Sequence, residues 1–292
     1  MPDLHRPLPR RALVLGLPAA LVSLHGCAMN PLPPQRHREL LKNGTTAIDV
    51  IVDGDGPAIV MLPSSLRDSE DFDEVAALIA ARGFRVLRPQ PRGMGRSSAP
   101  PPGMTLDTLA GDVALTIERF GDGRAVVVGH AYGHWTARVT DMNHPALVRG
   151  VVVLGASAQV FPAGMAEALA IASDPTRPAP ERLAALRLCM FAPGNDPTPW
   201  LQGWHPALRA AYRAAGQSPA KSVWFGRSHA PILDLQGEQD AWRPASTRNE
   251  LKALLGDKVT VQVIPHAGHA LVPEQPRAVA QAIADWARAL PA

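Results

Sequence analysis

The chain's 292 residues are 46% hydrophobic and 19% charged, enough apolar material for a substantial buried core, which excludes a disordered or fibrous protein. Lys and Arg number 29 against 26 Asp and Glu, a net charge of +3, and no basic run is long enough to track a phosphate backbone, which excludes nucleic acid as a partner. Thirty prolines lie scattered among periodic segments and mark loops, with no low-complexity tract.

The first segment reads as an export signal. Arg6, Arg10 and Arg11 form a basic start, residues 12–24 are an apolar run, and Leu24-His25-Gly26-Cys27 follows. Thirteen residues, interrupted by Gly16, Pro18 and Ser23, are too few for a membrane span of about 20. Arg10-Arg11 is also the dipeptide of twin-arginine export. Leu24 to Cys27 resembles the lipobox of bacterial lipoproteins, with His25 departing from the usual small residue. That resemblance implies Cys27 as the lipid-bearing new N-terminus, and so attachment to a membrane. The expectation is an exported bacterial protein, periplasmic or membrane-anchored, with residues 1–27 as the signal. Cleavage before Cys27 removes Asp3 and the three arginines, which leaves the mature chain nearly neutral.

Residues 28–44, with Pro31, Pro33 and Pro34 and then charged positions, read as a tether. Folding is expected from about Thr45. Short β-branched runs at 58–62, 85–87, 125–128, 151–154, 232–235 and 259–264 predict buried strands. Helical periodicity predicts helices over 72–82, 106–120, 134–143, 248–255 and 274–290. Such alternation predicts an α/β fold, a mostly parallel, doubly wound sheet with helices on both faces, occupying 45–292. The stretch 161–227 breaks the alternation. It carries Ala/Leu-rich helical segments with Trp200, Trp204 and Trp224, and reads as a helical cap inserted over the carboxyl ends of the strands, where such sheets bind ligands.

After the strand at 125–128 comes Gly129-His130-Ala131-Tyr132-Gly133, leading into a helix. The two glycines frame a strand-to-helix turn that thrusts its central side chain into a pocket. Gly237-Glu238-Gln239-Asp240 follows the strand at 232–235, and Pro265-His266-Ala267-Gly268-His269 follows the last strand. The loop after 58–62 reads Pro63-Ser64-Ser65, and Pro91 to Ser97 contains an R-G-x-G-x-S pattern. Together and in this order, these pieces resemble the α/β-hydrolase superfamily over roughly residues 45–290. The resemblance implies an α/β-hydrolase fold, Asp240 and His269 as acid and histidine of a catalytic set, Ala131 at the nucleophile position, and Ser65 and Tyr132 N–H groups as an oxyanion hole. Pro63-Ser64-Ser65 departs from the His-Gly common in that loop.

An alanine methyl cannot attack a carbonyl, so serine-esterase chemistry is excluded at position 131. Several readings stay open. In one, His269 oriented by Asp240 acts as a general base on a small, largely apolar ester, lactone or similar acyl compound, without a covalent intermediate. In another, the nucleophile is displaced to Ser64 or Ser65. In a third, the chain is an inactive homologue that binds a small ligand. In a fourth, Ala131 stands in for a native serine by laboratory substitution. His130 and His134 have i, i+4 spacing but no carboxylate completes a metal set. Gly93 and Gly95 lack the G-x-G-x-x-G spacing, so no cofactor is expected, and the partner is a small molecule. Cys189, in an Ala/Leu-rich stretch, reads as a buried hydrophobe.

Overall fold

Apolar runs such as Ala58–Leu62 and residues 125–128 are buried along their whole length, as strands covered on both faces must be. The structure, a computed structural model, describes residues 36–156 and 158–291. Eight strands form one sheet: β1 (Arg36–Asn43), β2 (Thr46–Asp53), β3 (Ala58–Leu62), β4 (Arg85–Pro89), β5 (Ala125–His130), β6 (Val148–Leu154), β7 (Ile232–Gly237) and β8 (Val259–Ile264), in the order β1-β2-β4-β3-β5-β6-β7-β8. Strands β3 to β8 are mutually parallel, and β2 runs antiparallel to both of its neighbours.

Among the described residues ten α-helices follow in chain order: α1 (Asp73–Ala80), α2 (Leu106–Phe120), α3 (Tyr132–Asn143), α4 (Met165–Ala172), α5 (Ala179–Cys189), α6 (Arg209–Ala215), α7 (Lys221–Trp224), α8 (Glu250–Leu255), α9 (Leu271–Glu274) and α10 (Pro276–Ala289). The sheet has a core on each face. On one, Phe72, Val75 and Ile79 meet Val279, Ile283 and Ala287 of α10 over the inward side chains of the central strands. On the other, Val113 and Ile117 of α2, Ala137 of α3 and Leu251 of α8 cover the alternate positions. In α10 the buried residues Val279, Ala280, Ile283, Ala284 and Ala287 recur at helical spacing, which is why that face seats on the sheet. Helices α4 to α7 lie between β6 and β7; α4 and α5 contribute a third cluster, in which Met165, Leu186, Phe191 and Trp200 pack with Trp242, and Tyr212 of α6 and Trp224 of α7 pack with Leu109 of α2 and Val139 of α3.

The tether expected over 28–44 is corrected in its second half, because residues 36–43 form β1. Asn43-Gly44 opens a two-residue turn with Gly44 at φ +57°, and all eight residues of β1 pair with β2. The charges that made this stretch look like a tether are those of an edge strand: Arg36 pairs with Asp53 at 2.7 Å and Arg38 with Glu70 at 2.6 Å. Strand β2 carries no alternation to betray it, since six of its eight residues are buried. The helix expected over 274–290 is α10, which starts at Pro276 with the short α9 just before it, and the one expected from 134 begins at Tyr132. The signal segment, Cys27 and the first part of the tether lie outside the described residues.

Candidate active site

The turn after β5 sits at the centre of the sheet's carboxyl edge. Ala131 has φ +47° and ψ −114°, a backbone conformation that L-residues avoid at a cost of about 1–3 kcal/mol. Its neighbours explain how the turn closes. A Cβ on Gly129 would stand 2.3 Å from the backbone of Gly133 and His134, and one on Gly133 would stand 2.3 Å from the Leu62 carbonyl oxygen. Both positions require glycine, because strand, turn and helix touch through bare backbone. The Ala131 N–H donates to the Leu154 carbonyl at 2.9 Å, and α3 starts at the next residue. Tyr132 N–H is the first amide of that helix, which has no acceptor within the helix and lies at the positive end of its dipole.

Asp240 and His269 meet beside this turn. The His269 Nδ1–H donates to the Asp240 carboxylate, 3.0 Å from both oxygens, and both residues are 4% exposed. In the neutral imidazole, that bond places the proton on Nδ1 and leaves the Nε2 lone pair to accept one. The acid is held from a second direction by the Trp242 backbone N–H, 2.8 Å from Oδ1. The Trp242 ring lies against the His269 ring, centroids 5.4 Å apart, and its indole N–H donates to the Cys189 carbonyl at 2.7 Å. One tryptophan thus ties the acid turn, the histidine and the end of α5 together.

His130 and His134 do not share a ligand. The His130 Nε2–H donates to the His269 carbonyl oxygen at 2.8 Å, and the His134 Nδ1–H donates to the Ala131 carbonyl. Burial lowers the His130 pKa to about 3, and burial holds His134 well below the ordinary imidazole value. Both are neutral struts, one tying the histidine loop to the elbow, the other bracing the elbow itself. Glu274, exposed to no sequence pattern, completes the support: its carboxylate accepts from Gly268 N–H at 2.7 Å, Ala192 N–H at 2.6 Å and the Asn195 amide at 2.7 Å.

The loop after β3 carries Ser64, buried, and Ser65, half-buried. Leu66 takes φ +61°, and Arg67 N–H donates to the Ser64 carbonyl at 3.2 Å, so the loop folds back on itself beside Tyr132 and Gly133. Among the described residues neither the Ser65 nor the Tyr132 amide donates to a protein acceptor, and neither serine hydroxyl bonds His269.

Arg67 joins this loop to the segment before α6. Its guanidinium forms a two-pronged pair with Asp71, donates to the Gln202 carbonyl, and lies 4.4 Å from the Trp200 ring centroid and 4.8 Å from that of Trp204. The cap tryptophans divide accordingly. Trp200 is buried between Arg67, Phe191 and His130, Trp204 covers Arg67, and Trp224 is buried against His134 and Trp135. The i, i+4 spacing of Arg67 and Asp71 was the one sequence signal of this clamp. Cys189 is buried and its thiol pKa is pushed up to about 12 by burial, so it is packing material.

Comparison with known proteins gives this geometry a family. The zearalenone hydrolase of Cladophialophora bantiana is 32% identical over 101 residues, 33% of this chain and 38% of that protein. A second zearalenone hydrolase, from Bionectria ochroleuca, is matched over 39% of its length, so the chain spans about two-fifths of these curated relatives. The pyrethroid hydrolase of Sphingobium wenxiniae is 24% identical over 252 residues, 79% of this chain and 88% of that protein. Among solved structures, a 2-hydroxy-6-oxo-6-phenylhexa-2,4-dienoate hydrolase from Rhodococcus superposes with a TM-score of 0.71 at 20% identity, covering 88% of this chain and 100% of that one. An esterase from Exiguobacterium antarcticum superposes with a TM-score of 0.68 at 21% identity, covering 84% and 96%. These structures share the fold. The sequence model of the Alpha/beta hydrolase family matches residues 59–282, most of the chain, and the protein belongs to that family.

Proposed function

We propose that this protein hydrolyses a small, largely apolar ester or lactone by general-base catalysis, with water as the nucleophile. The observation that carries the reading is the pairing of a strained elbow at Ala131 with an intact, buried Asp240–His269 dyad whose Nε2 is left as a base. Asp240 holds the His269 tautomer. His269 Nε2 takes a proton from water as its oxygen bonds to the substrate carbonyl carbon, and the electron pair moves onto the carbonyl oxygen. Ser65 and Tyr132 N–H groups stabilise that oxyanion. The oxyanion then collapses, the bond to the leaving oxygen breaks, and the imidazolium returns its proton to the departing alkoxide, giving an acid and an alcohol. Triad enzymes stripped of a member keep roughly 10³ to 10⁴-fold acceleration over water, so the rate of such a site is modest but measurable.

The names of the relatives, a zearalenone hydrolase and a pyrethroid hydrolase, support a hydrolytic reaction. Export through residues 1–27, with a lipid on Cys27, belongs to the same reading and would set the reaction outside the cytoplasm. The test is turnover of a p-nitrophenyl ester and lactone panel by the native protein, Ala131→Ser and His269→Ala. Slow hydrolysis in the native protein, lost at least 100-fold in His269→Ala, is expected. Ala131→Ser should be faster than the native protein, because a hydroxyl beside His269 restores a covalent route. Native activity unchanged in His269→Ala would overturn the reading. Silence in the native protein with a ligand-induced rise in melting temperature would favour a binding protein. Labelling of Ser64 or Ser65 by a fluorophosphonate would favour the displaced nucleophile.

A further inference from the structure

The acid turn that carries Asp240 has two limbs. Its entry limb is fixed by backbone to the histidine loop. Glu238 N–H donates to the Ile264 carbonyl at 2.9 Å and Gln239 N–H to the Ala267 carbonyl at 2.8 Å, and a Cβ on Gly237 would stand 2.1 Å from the Gly268 carbonyl oxygen. Its exit limb, residues 241–248, winds around one buried guanidinium. Arg243 is 1% exposed. Its Nε donates to the Thr247 carbonyl at 3.0 Å, its Nη2 to the Arg248 carbonyl at 3.2 Å and to Asp234 Oδ2 of β7 at 3.1 Å, and its Nη1 to the Ala156 carbonyl, after β6, at 3.3 Å. Gln236, on the same face of β7, donates through Nε2 to Asp234 Oδ2 and to the Arg248 carbonyl, both at 2.9 Å. The Arg243 backbone N–H donates to the Asp240 carbonyl at 3.1 Å, which joins this anchor directly to the acid.

A buried ion pair is a weak source of stability, because desolvation offsets its attraction. Asp234 shows that cost: burial raises its pKa to about 6, against the opposing pull of Arg243. What the pair supplies is placement. A planar guanidinium with five N–H donors in a rigid fork can hold β7, the loop after β6 and the end of the turn at once, which a lysine point charge cannot. The Asp240 carboxylate meets His269 Nδ1 with both oxygens at 3.0 Å. A shift of about 1 Å in the turn would undo that approach, and displacements of this size cost up to about 100-fold in rate.

We infer that Arg243 is a positioning residue: by fixing the exit limb of the acid turn to β7 and to the loop after β6, it keeps the Asp240 carboxylate on His269 Nδ1. Its effect on rate rests on the general-base reading. The test reads the pair itself, apart from turnover. The His269 Nδ1 proton, bonded to a carboxylate, gives a far-downfield proton NMR resonance, identified by its loss in His269→Ala. It is followed at about pH 7.5 in the native protein, in Arg243→Lys, and in the double variant Asp234→Asn with Arg243→Met, which removes both charges of the buried pair. The double variant should lose the resonance or bring it toward the ordinary imidazole range, and lower kcat on the hydrolysed ester at least about tenfold with KM within about twofold. Arg243→Lys should fall between it and the native protein. Arg88→Lys, the same change in a guanidinium buried against Asp53 in β4, should lower the melting temperature and leave resonance and kcat unchanged. If the double variant does not fold, Arg243→Lys decides. A folded variant with native resonance and kcat, an equal effect from Arg88→Lys, or a native protein without the resonance would overturn the inference. Loss of the resonance in the variant, without ester hydrolysis by any of these proteins, supports the positioning role and instead overturns the general-base reading.

Discussion

Ala131 keeps a backbone conformation whose usual purpose, to present a reactive side chain, it cannot serve with a methyl group. The strain is held by the glycines around it, which makes them the most sensitive residues of the site. Gly129→Ala would drive a Cβ to 2.3 Å from the Gly133 and His134 backbone, and should cost about 3 kcal/mol, read as a lower denaturation midpoint. The buried histidines set a pH limit. His130 titrates at about 3 in the fold and near 6.5 when unfolded, so its contribution is complete above 6.5 and is lost as pH falls toward 3. His134 is lowered in the same direction by burial. Below about pH 6 the unfolded chain therefore binds more protons than the folded one, at up to about 1.4 kcal/mol per pH unit for each histidine. Denaturant titrations at pH 7.5, 6 and 5 should show this loss in the native protein, with a shallower slope in His130→Asn.

At the scale of elements, stability of the site depends on the clamp between the loop after β3 and the cap. The Arg67 and Asp71 side chains are 5% and 10% exposed, so removing one partner leaves the other charge buried. Arg67→Leu should destabilise by about 3–5 kcal/mol, and adding Asp71→Asn should recover part of that loss, as thermal unfolding would show. Burial raises the Asp71 pKa, so a carboxyl without its arginine is readily protonated, which fits the partial recovery. Strand β1 is the other element with a direct test. It buries Leu41 and pairs along its whole length with β2. Truncation before Thr45 should lose about 3 kcal/mol, or roughly 6–12 °C.

For the whole molecule, the doubly wound sheet gathers four loops that are far apart in the chain. The loops after β3, β5, β7 and β8 leave the same edge of parallel strands, which is why Ser65, Ala131, Asp240 and His269 belong to one region. The six parallel strands were all legible, since short β-branched runs such as residues 125–128 are apolar throughout and bounded by glycines and charged residues. The antiparallel pair β1 and β2 was not, because the edge strand β1 is as charged as a linker and β2, buried over six of its eight residues with Asp49 and Asp53 among them, shows neither alternation nor an unbroken apolar run. The approach of Asp240 to His269 follows from motifs at the ends of neighbouring strands, while the contacts of His130, Glu274 and Trp242 were not legible, because each reaches a partner distant in sequence.

The sequence by itself determined the alternation of strands and helices, the tight glycine-framed turn at Ala131, and the order of elbow, acid and histidine. These are local properties: burial periodicity, turn chemistry and chain order are written in neighbouring residues. Only the tertiary structure decided that His269 turns Nδ1 to Asp240 and leaves Nε2 free, that His130 and His134 are struts, and that Arg67 fastens the cap. Each of these depends on the direction of a side chain across the sheet, which is set by packing between segments that sequence spacing does not relate.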